Sequence, residues 1–108
     1  MRRTAARDPF EALGNAQRRQ IVQLLARRPR SVREIADRLP ISRPAVSRHL
    51  KVLGQAGLVT AEGSGTRNVY RLDSSGAEAA AEYLGRLWGD ATTRFRIFAE
   101  NTEPKRRD

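Results

Sequence analysis

Along most of the chain, apolar residues return at intervals of three and four, the period of a helix packed by one face. In "NAQRRQIVQLLARRP" that face is Ile21, Val22, Leu24 and Leu25, with Asn15 placed to cap the helix and Pro29 to end it. The segment before it opens on Asp8-Pro9, an N-cap and a proline at the first helical position, and should run through Leu13 to Gly14. Ser31-Val32-Arg33-Glu34 has capping-box spacing and opens a third helix through Leu39, closed by Pro40. A fourth helix begins near Ser42, where Ile41 and Val46 form a hydrophobic staple, or one residue later with Pro44 at its first position. At its far end Gly57 suits the left-handed position of a Schellman cap, with Leu58 against Leu53.

Beyond that cap the period changes. "LVTAEG" and "RNVYRL" read as short strands around Gly63-Ser64-Gly65, a glycine turn that makes a hairpin. Ser75-Gly76-Ala77-Glu78 reads as a second capping box, opening the longest helix, to about Asn101. In it Ala77, Ala81, Leu84, Trp88, Ala91, Phe95 and Phe98 recur at alternating steps of four and three, the seam of a helix pair. The seam could close within one chain. A small three-helix core leaves little surface for such a helix, so packing on the same helix of a second chain, with Phe10 and Leu13 alongside, explains it better.

The fold class is therefore mainly α with a small β-hairpin: a winged helix-turn-helix with N- and C-terminal dimerisation helices. Residues 1–7 are expected to be a flexible basic arm and 102–108 a flexible tail. The single domain spans 8–101, with the helix-turn-helix at 31–56, the wing at 58–72 and the dimerisation helix at 75–101. At 108 residues the chain buries a modest core, which also favours a partner.

Charge sharpens this picture. Lys and Arg number 21 against 12 Asp and Glu, a net charge of +9, which favours polyanionic partners. The surplus is uneven: residues 1–30 carry a balance of +6, 31–72 of +4 and 73–108 of −1. No apolar run is long enough to cross a bilayer, and Met1-Arg2-Arg3-Thr4 precedes no signal-peptide core, so a cytoplasmic protein with no membrane partner is expected. The absence of Cys rules out disulfides, thiolate metal sites and thiol nucleophiles.

On a helical wheel of about 100° per residue, Val46, Leu50 and Leu53 fall in one narrow arc of the fourth helix. Pro44, Ser47, Arg48, Lys51 and Gln55 lie opposite. A lone basic face is commonly just solvated. Here a short capped helix precedes it at helix-turn-helix spacing, no acid occurs from Arg43 to Ala61, and a hairpin follows with Thr66, Arg67 and Asn68 near its tip. Those features together indicate a DNA-reading helix.

The stretch from Asp8 to Asp73, most specifically "ISRPAVSRHLKVLGQAGLV" and its glycine-turn wing, resembles the winged helix-turn-helix of the ArsR-type (arsenical-resistance repressor) bacterial regulators. The long helix after it resembles the family's dimerising C-terminal helix less specifically. The resemblance implies a homodimeric repressor on a partly palindromic operator in double-stranded DNA. By position it carries over Ser42, Arg43, Ser47, Arg48 and Lys51 as recognition-helix residues and Arg67 as a wing residue. Pro40 stands where many relatives have glycine, implying a stiffer turn.

Metal-sensing members of that family use a Cys-containing pair on the third helix or Asp and His on the last helix. "SVREIADRL" has no Cys and residues 75–101 no His, so no metal and no other cofactor is expected. The lone His49 sits beside the core arc and reads as a satisfied, partly buried histidine in preference to a phosphate contact or a pH switch. No nucleophile, base and orienting acid are spaced for catalysis, so an enzyme is not expected. Two alternatives to a DNA-binding repressor stay open: a ligand- or metal-gated sensor of the same fold, its effector unknown, and a winged-helix protein-interaction module.

Overall fold

The computed structural model describes the backbone of residues 7–64 and 67–102, and the side chains of 7–63, 67–89 and Ala99. Among these residues five helices and three strands follow one another: α1 (Pro9–Ala12), α2 (Ala16–Arg27), β1 (Arg30–Ser31), α3 (Val32–Arg38), α4 (Arg43–Gln55), β2 (Val59–Ser64), β3 (Arg67–Leu72) and α5 (Ser74–Thr102).

The helix starts obey the local chemistry. Asp8 accepts the Phe10 amide before Pro9 opens α1, and Asn15 accepts the Arg18 amide at the head of α2. Ser31 and Glu34 make the full capping box: the Ser31 hydroxyl oxygen accepts the Glu34 amide at 3.2 Å, and the Glu34 carboxylate accepts the Ser31 amide at 2.8 Å. Ser42 caps α4 by accepting from Ala45 at 3.2 Å, because Pro44 has no amide to offer. At the other end Gly57, with φ of 74°, donates to Gly54 and Leu58 donates to Leu53, both at 3.0 Å, the expected Schellman pair.

The second capping box is not formed as expected. The carboxylate of Asp73 accepts the Ser75 amide at 3.0 Å, α5 starts one residue earlier at Ser74, and the Ser75 hydroxyl donates to the Gly57 carbonyl at 3.2 Å. The hydroxyl that a capping box would use to accept the Glu78 amide instead donates to a carbonyl at the end of α4.

The hairpin is also part of something larger. β3 pairs antiparallel with β2 from Val59↔Leu72 to Ser64↔Arg67, and on its other edge with β1, in sheet order β1-β3-β2. The wing is thus a three-stranded sheet whose inner edge leads directly into α3.

Ile21, Ile35, Val46, Leu50 and Leu53, from α2, α3 and α4, form the fully buried centre, each contributing about 1.5–3 kcal/mol. Leu58 and Val59 close it beside the sheet, and Leu13 packs half-buried on it from the end of α1. The expected arc of α4 is therefore the core-facing one. Beyond its first turn α5 leaves this core: Tyr83, Leu84, Leu87 and Trp88 are all exposed. Phe10 of α1 meets it, its ring 5.5 Å from that of Tyr83. Ala91, Phe95 and Phe98 of the seam have side chains outside the described residues, as do Thr66 and residues 1–6 and 103–108. Arg7, placed in the basic arm, is held: its amide donates to the Gln55 carbonyl and its Nε to Gln55 Oε1, both at 2.9 Å.

Candidate nucleic-acid interface

Burying Val46, Leu50 and Leu53 turns Ser47, Arg48 and Lys51 outward along α4, with Ser42 and Arg43 at its exposed start. Packing of one face fixes the direction of the other. Among the described residues, neither Arg43, Arg48, Lys51 nor Arg67 is in an ion pair, whereas Arg7, Arg28, Arg71 and Arg86 each have a carboxylate within 4 Å. Among the described residues, the outward face of α4 thus presents cationic donors without a paired carboxylate.

The N-terminal part of that face opens into a cleft of about 530 Å³. Arg43 and Ser47 line it from α4, Arg67, Asn68 and Tyr70 from β3, and Ser31, Val32 and Arg33 from the start of α3. Three guanidinium groups from three elements therefore border one opening. Arg48 and Lys51 do not line it; they stand elsewhere on the exposed face of the helix. The sequence marks Arg43, Ser47 and Arg67, and Asn68 near the wing's tip, but not Arg33 or Tyr70. Their shared cleft depends on β1 pairing with β3, a contact between distant residues for which the sequence carries no periodic signal.

Glu34, next to Arg33 in α3, lies within electrostatic reach of Arg67. The Ser31 amide holds its carboxyl below the usual carboxylate range; partial burial opposes this, and Arg28 and then Arg67 reinforce it. It stays ionised as the capping-box acceptor. On the far side of Ser31, buried Arg30 donates from Nε to the Leu24 carbonyl at 3.2 Å, and burial followed by the neighbouring Arg28 and Arg38 lowers its pKa. Arg30 belongs to the sheet's inner edge and not to the cleft.

His49 points away from the open face. Its Nε2 lies 3.0 Å from Gln17 Oε1 and its Nδ1 3.4 Å from Arg18 Nη1, a half-buried, hydrogen-bonded histidine as expected. The Ser42 hydroxyl oxygen is occupied by the cap, leaving its proton for an outside acceptor.

A short helix, a tight turn, a second helix with an acid-free outer face and a flanking β-wing define a winged helix-turn-helix DNA-binding regulator. The family comparison agrees. The sequence model described as "Bacterial regulatory protein, arsR family" matches residues 15–61. The HTH-type transcriptional regulator Rv2034 of Mycobacterium tuberculosis is 50% identical over 84 residues, 78% of each chain. Shorter or weaker matches carry both regulatory signs in their names. The transcriptional repressor SmtB of M. tuberculosis is 44% identical over 63% of this chain and 50% of its own. The transcriptional activator HlyU of Vibrio cholerae is 36% identical over 76% of each. Among solved structures, an ArsR-like transcriptional regulator from Rhodococcus sp. RHA1 superposes with a TM-score of 0.69 at 30% identity, over 89% of this chain and 91% of that one.

The chain belongs to the ArsR family of bacterial transcriptional regulators. It is a DNA-binding regulator and not an enzyme. Among the described residues no helix is long and apolar enough to cross a membrane.

Proposed function

We propose that the protein works as a homodimeric repressor, laying one α4 from each subunit into successive major grooves of a partly palindromic operator. The observation that carries this reading is the cleft where Arg33, Arg43 and Arg67 converge beside Ser47 at the head of α4. Its width is bounded by the wing on one side and α3 on the other, so a phosphate strand passing there brings the outward face of α4 against base edges. Ser47 and Arg48 read bases, Arg48 by bridging the two acceptors of a guanine edge. Ser42, Arg43, Lys51 and Arg67 hold the backbone, and Arg33 joins them. A chromosomal target puts the protein in the cytoplasm.

Dimerisation is supported by the apolar surface that one chain leaves uncovered. Phe10, Tyr83, Leu84, Leu87 and Trp88 are 40 to 55% exposed on α1 and α5, a collection of large side chains that a second copy would cover. Ala91, Phe95 and Phe98 continue the same heptad spacing toward the end of α5. Leu13, at the end of α1, is half-buried and packs on the core, leaving only part of it for a second copy to cover.

Selection of fragments bound from genomic DNA tests the reading. It should recover a two-fold site with half-site centres roughly 34 Å apart or at a multiple of that spacing. A reporter placed behind that site should rise when the regulator is deleted; a fall would make it an activator. Fragments without any shared sequence would leave only non-specific DNA binding. Calorimetry with zinc addresses the sensor alternative: stoichiometric submicromolar binding would establish a metal site that the Cys-free, His-poor sequence does not predict.

A further inference from the structure

The end of α4 and the start of α5 meet backbone to backbone. The Gly57 carbonyl accepts the Gly76 amide at 2.8 Å and the Ser75 hydroxyl at 3.2 Å, and the Asp73 amide donates to the Leu58 carbonyl at 2.9 Å. Gly57 holds a φ of 74°, and Gly76 is buried against it. A Cβ on Gly76 would overlap the Ala56 carbonyl oxygen and stand 2.8 Å from the carbonyl carbon and oxygen of Gly57. All three are backbone atoms of α4's cap, with no side chain that could turn aside. Further along, Phe10 of α1 packs against Tyr83 of α5.

We propose that Gly76 is a positioning residue for operator reading: its bare Cα, seated on the Gly57 peptide, sets the angle between α4 and α5 and so the separation of the two α4 helices in the dimer. This rests on the homodimer reading above. α5 has 29 residues. At 1.5 Å per residue it is a lever of roughly 40 Å, so a tilt of about 10° at its base swings its far end by about 7 Å. Such a swing is about two base-pair steps along DNA. α4 and α5 share no loop long enough to absorb it, because the strands between them return directly to Asp73. Without the close approach at Gly76, each α4 would still fit its own half-site, but the pair would no longer match the operator's spacing.

The test uses duplexes carrying the selected operator, with both half-sites or with one, and the full-length wild-type, Gly76→Ala and Ser75→Ala proteins. Circular dichroism and sedimentation report fold and assembly. Joining two binding events should give the wild type an advantage of about 10²- to 10⁴-fold for two half-sites over one. Folded, dimeric Gly76→Ala should keep its single-half-site affinity within about twofold, lose at least about tenfold of that advantage, and regain part of it when the half-sites are moved by one base pair. Ser75→Ala should shift in the same direction by less. The proposal is overturned if dimeric Gly76→Ala keeps the full advantage, or loses single-half-site affinity as severely as operator affinity. If Gly76→Ala gives no folded dimer, Ser75→Ala decides, and an unchanged advantage in that variant overturns the proposal. A wild type that shows no advantage sinks the homodimer reading itself, and this proposal with it, before any variant is compared.

Discussion

His49 and Gln17 join α4 to α2 through a hydrogen bond of 3.0 Å between Nε2 and Oε1. The amide oxygen only accepts, so the ring proton sits on Nε2, and Nδ1 is left as the acceptor facing Arg18 Nη1 at 3.4 Å. Arg18 is fixed in turn by its Nε–H donating to the Ala12 carbonyl at 2.7 Å. The histidine next to Arg48 is thus held neutral by its surroundings.

Acid should weaken the fold through this residue. Burial, then the charges of Arg18 and Arg48, lowers the His49 pKa below its ordinary 6.5, so the unfolded chain binds the proton more readily than the native one. Its contribution is complete above pH 6.5 and is lost as pH falls from there through the folded-state pKa. Urea unfolding at pH 7.5 and 5.5 should show wild type losing more stability across that interval than His49→Gln; equal losses would remove His49 as the cause.

Arg48→Ala and Arg67→Ala should fail differently on DNA. A guanine-bridging arginine is worth about 1–3 kcal/mol at one base pair, so Arg48→Ala should lose operator affinity while random-sequence affinity changes little. A phosphate contact carries no base information: Arg67→Ala should weaken both and reduce the salt slope by about two in a dimer. Salt titrations on operator and random duplexes separate them, and full operator preference in Arg48→Ala would withdraw α4's role as the reader.

Trp88 is half-exposed in the single chain, so its loss should cost the chain little by itself. Covered by a second copy it would be worth about 3–5 kcal/mol on truncation. Trp88→Ala should therefore dissociate in sedimentation at micromolar concentration while keeping its helical circular dichroism. A wild type already monomeric there would show that the exposed aromatic surface serves something else.

Ser31→Ala removes the hydroxyl half of the capping box at the point where β1 becomes α3. Such a cap is worth about 0.5–2 kcal/mol, and thermal melts should show a loss in that range. A drop in DNA affinity beyond that of the stability change would mark Ser31, which also lines the cleft, as a contact residue.

What could be read from the sequence follows how far each interaction reaches along the chain. Asp8, Asn15, Ser31 and Ser42 cap their helices through amides two or three residues away, and the Gly57 cap engages only Leu53 to Leu58, so composition at fixed offsets reveals them. β1 could not be seen: two residues have no period, and their partners Val69 and Tyr70 lie some forty positions away. Ser75 fits the capping box by spacing, yet its hydroxyl finds Gly57, an acceptor that only the folded chain brings near. The same distance hid the place of Arg33 and Tyr70 in the cleft.

The division of α4 has a practical side. Val46, Leu50 and Leu53 carry the packing, the Ser42 cap and the Gly57 turn carry the ends, and none of these tasks falls on Ser47, Arg48 or Lys51. Ser47 and Arg48, the proposed base readers, then form a replaceable alphabet on a fixed frame. A library randomised there should yield mostly folded proteins, from which regulators for other operators could be drawn without rebuilding the scaffold.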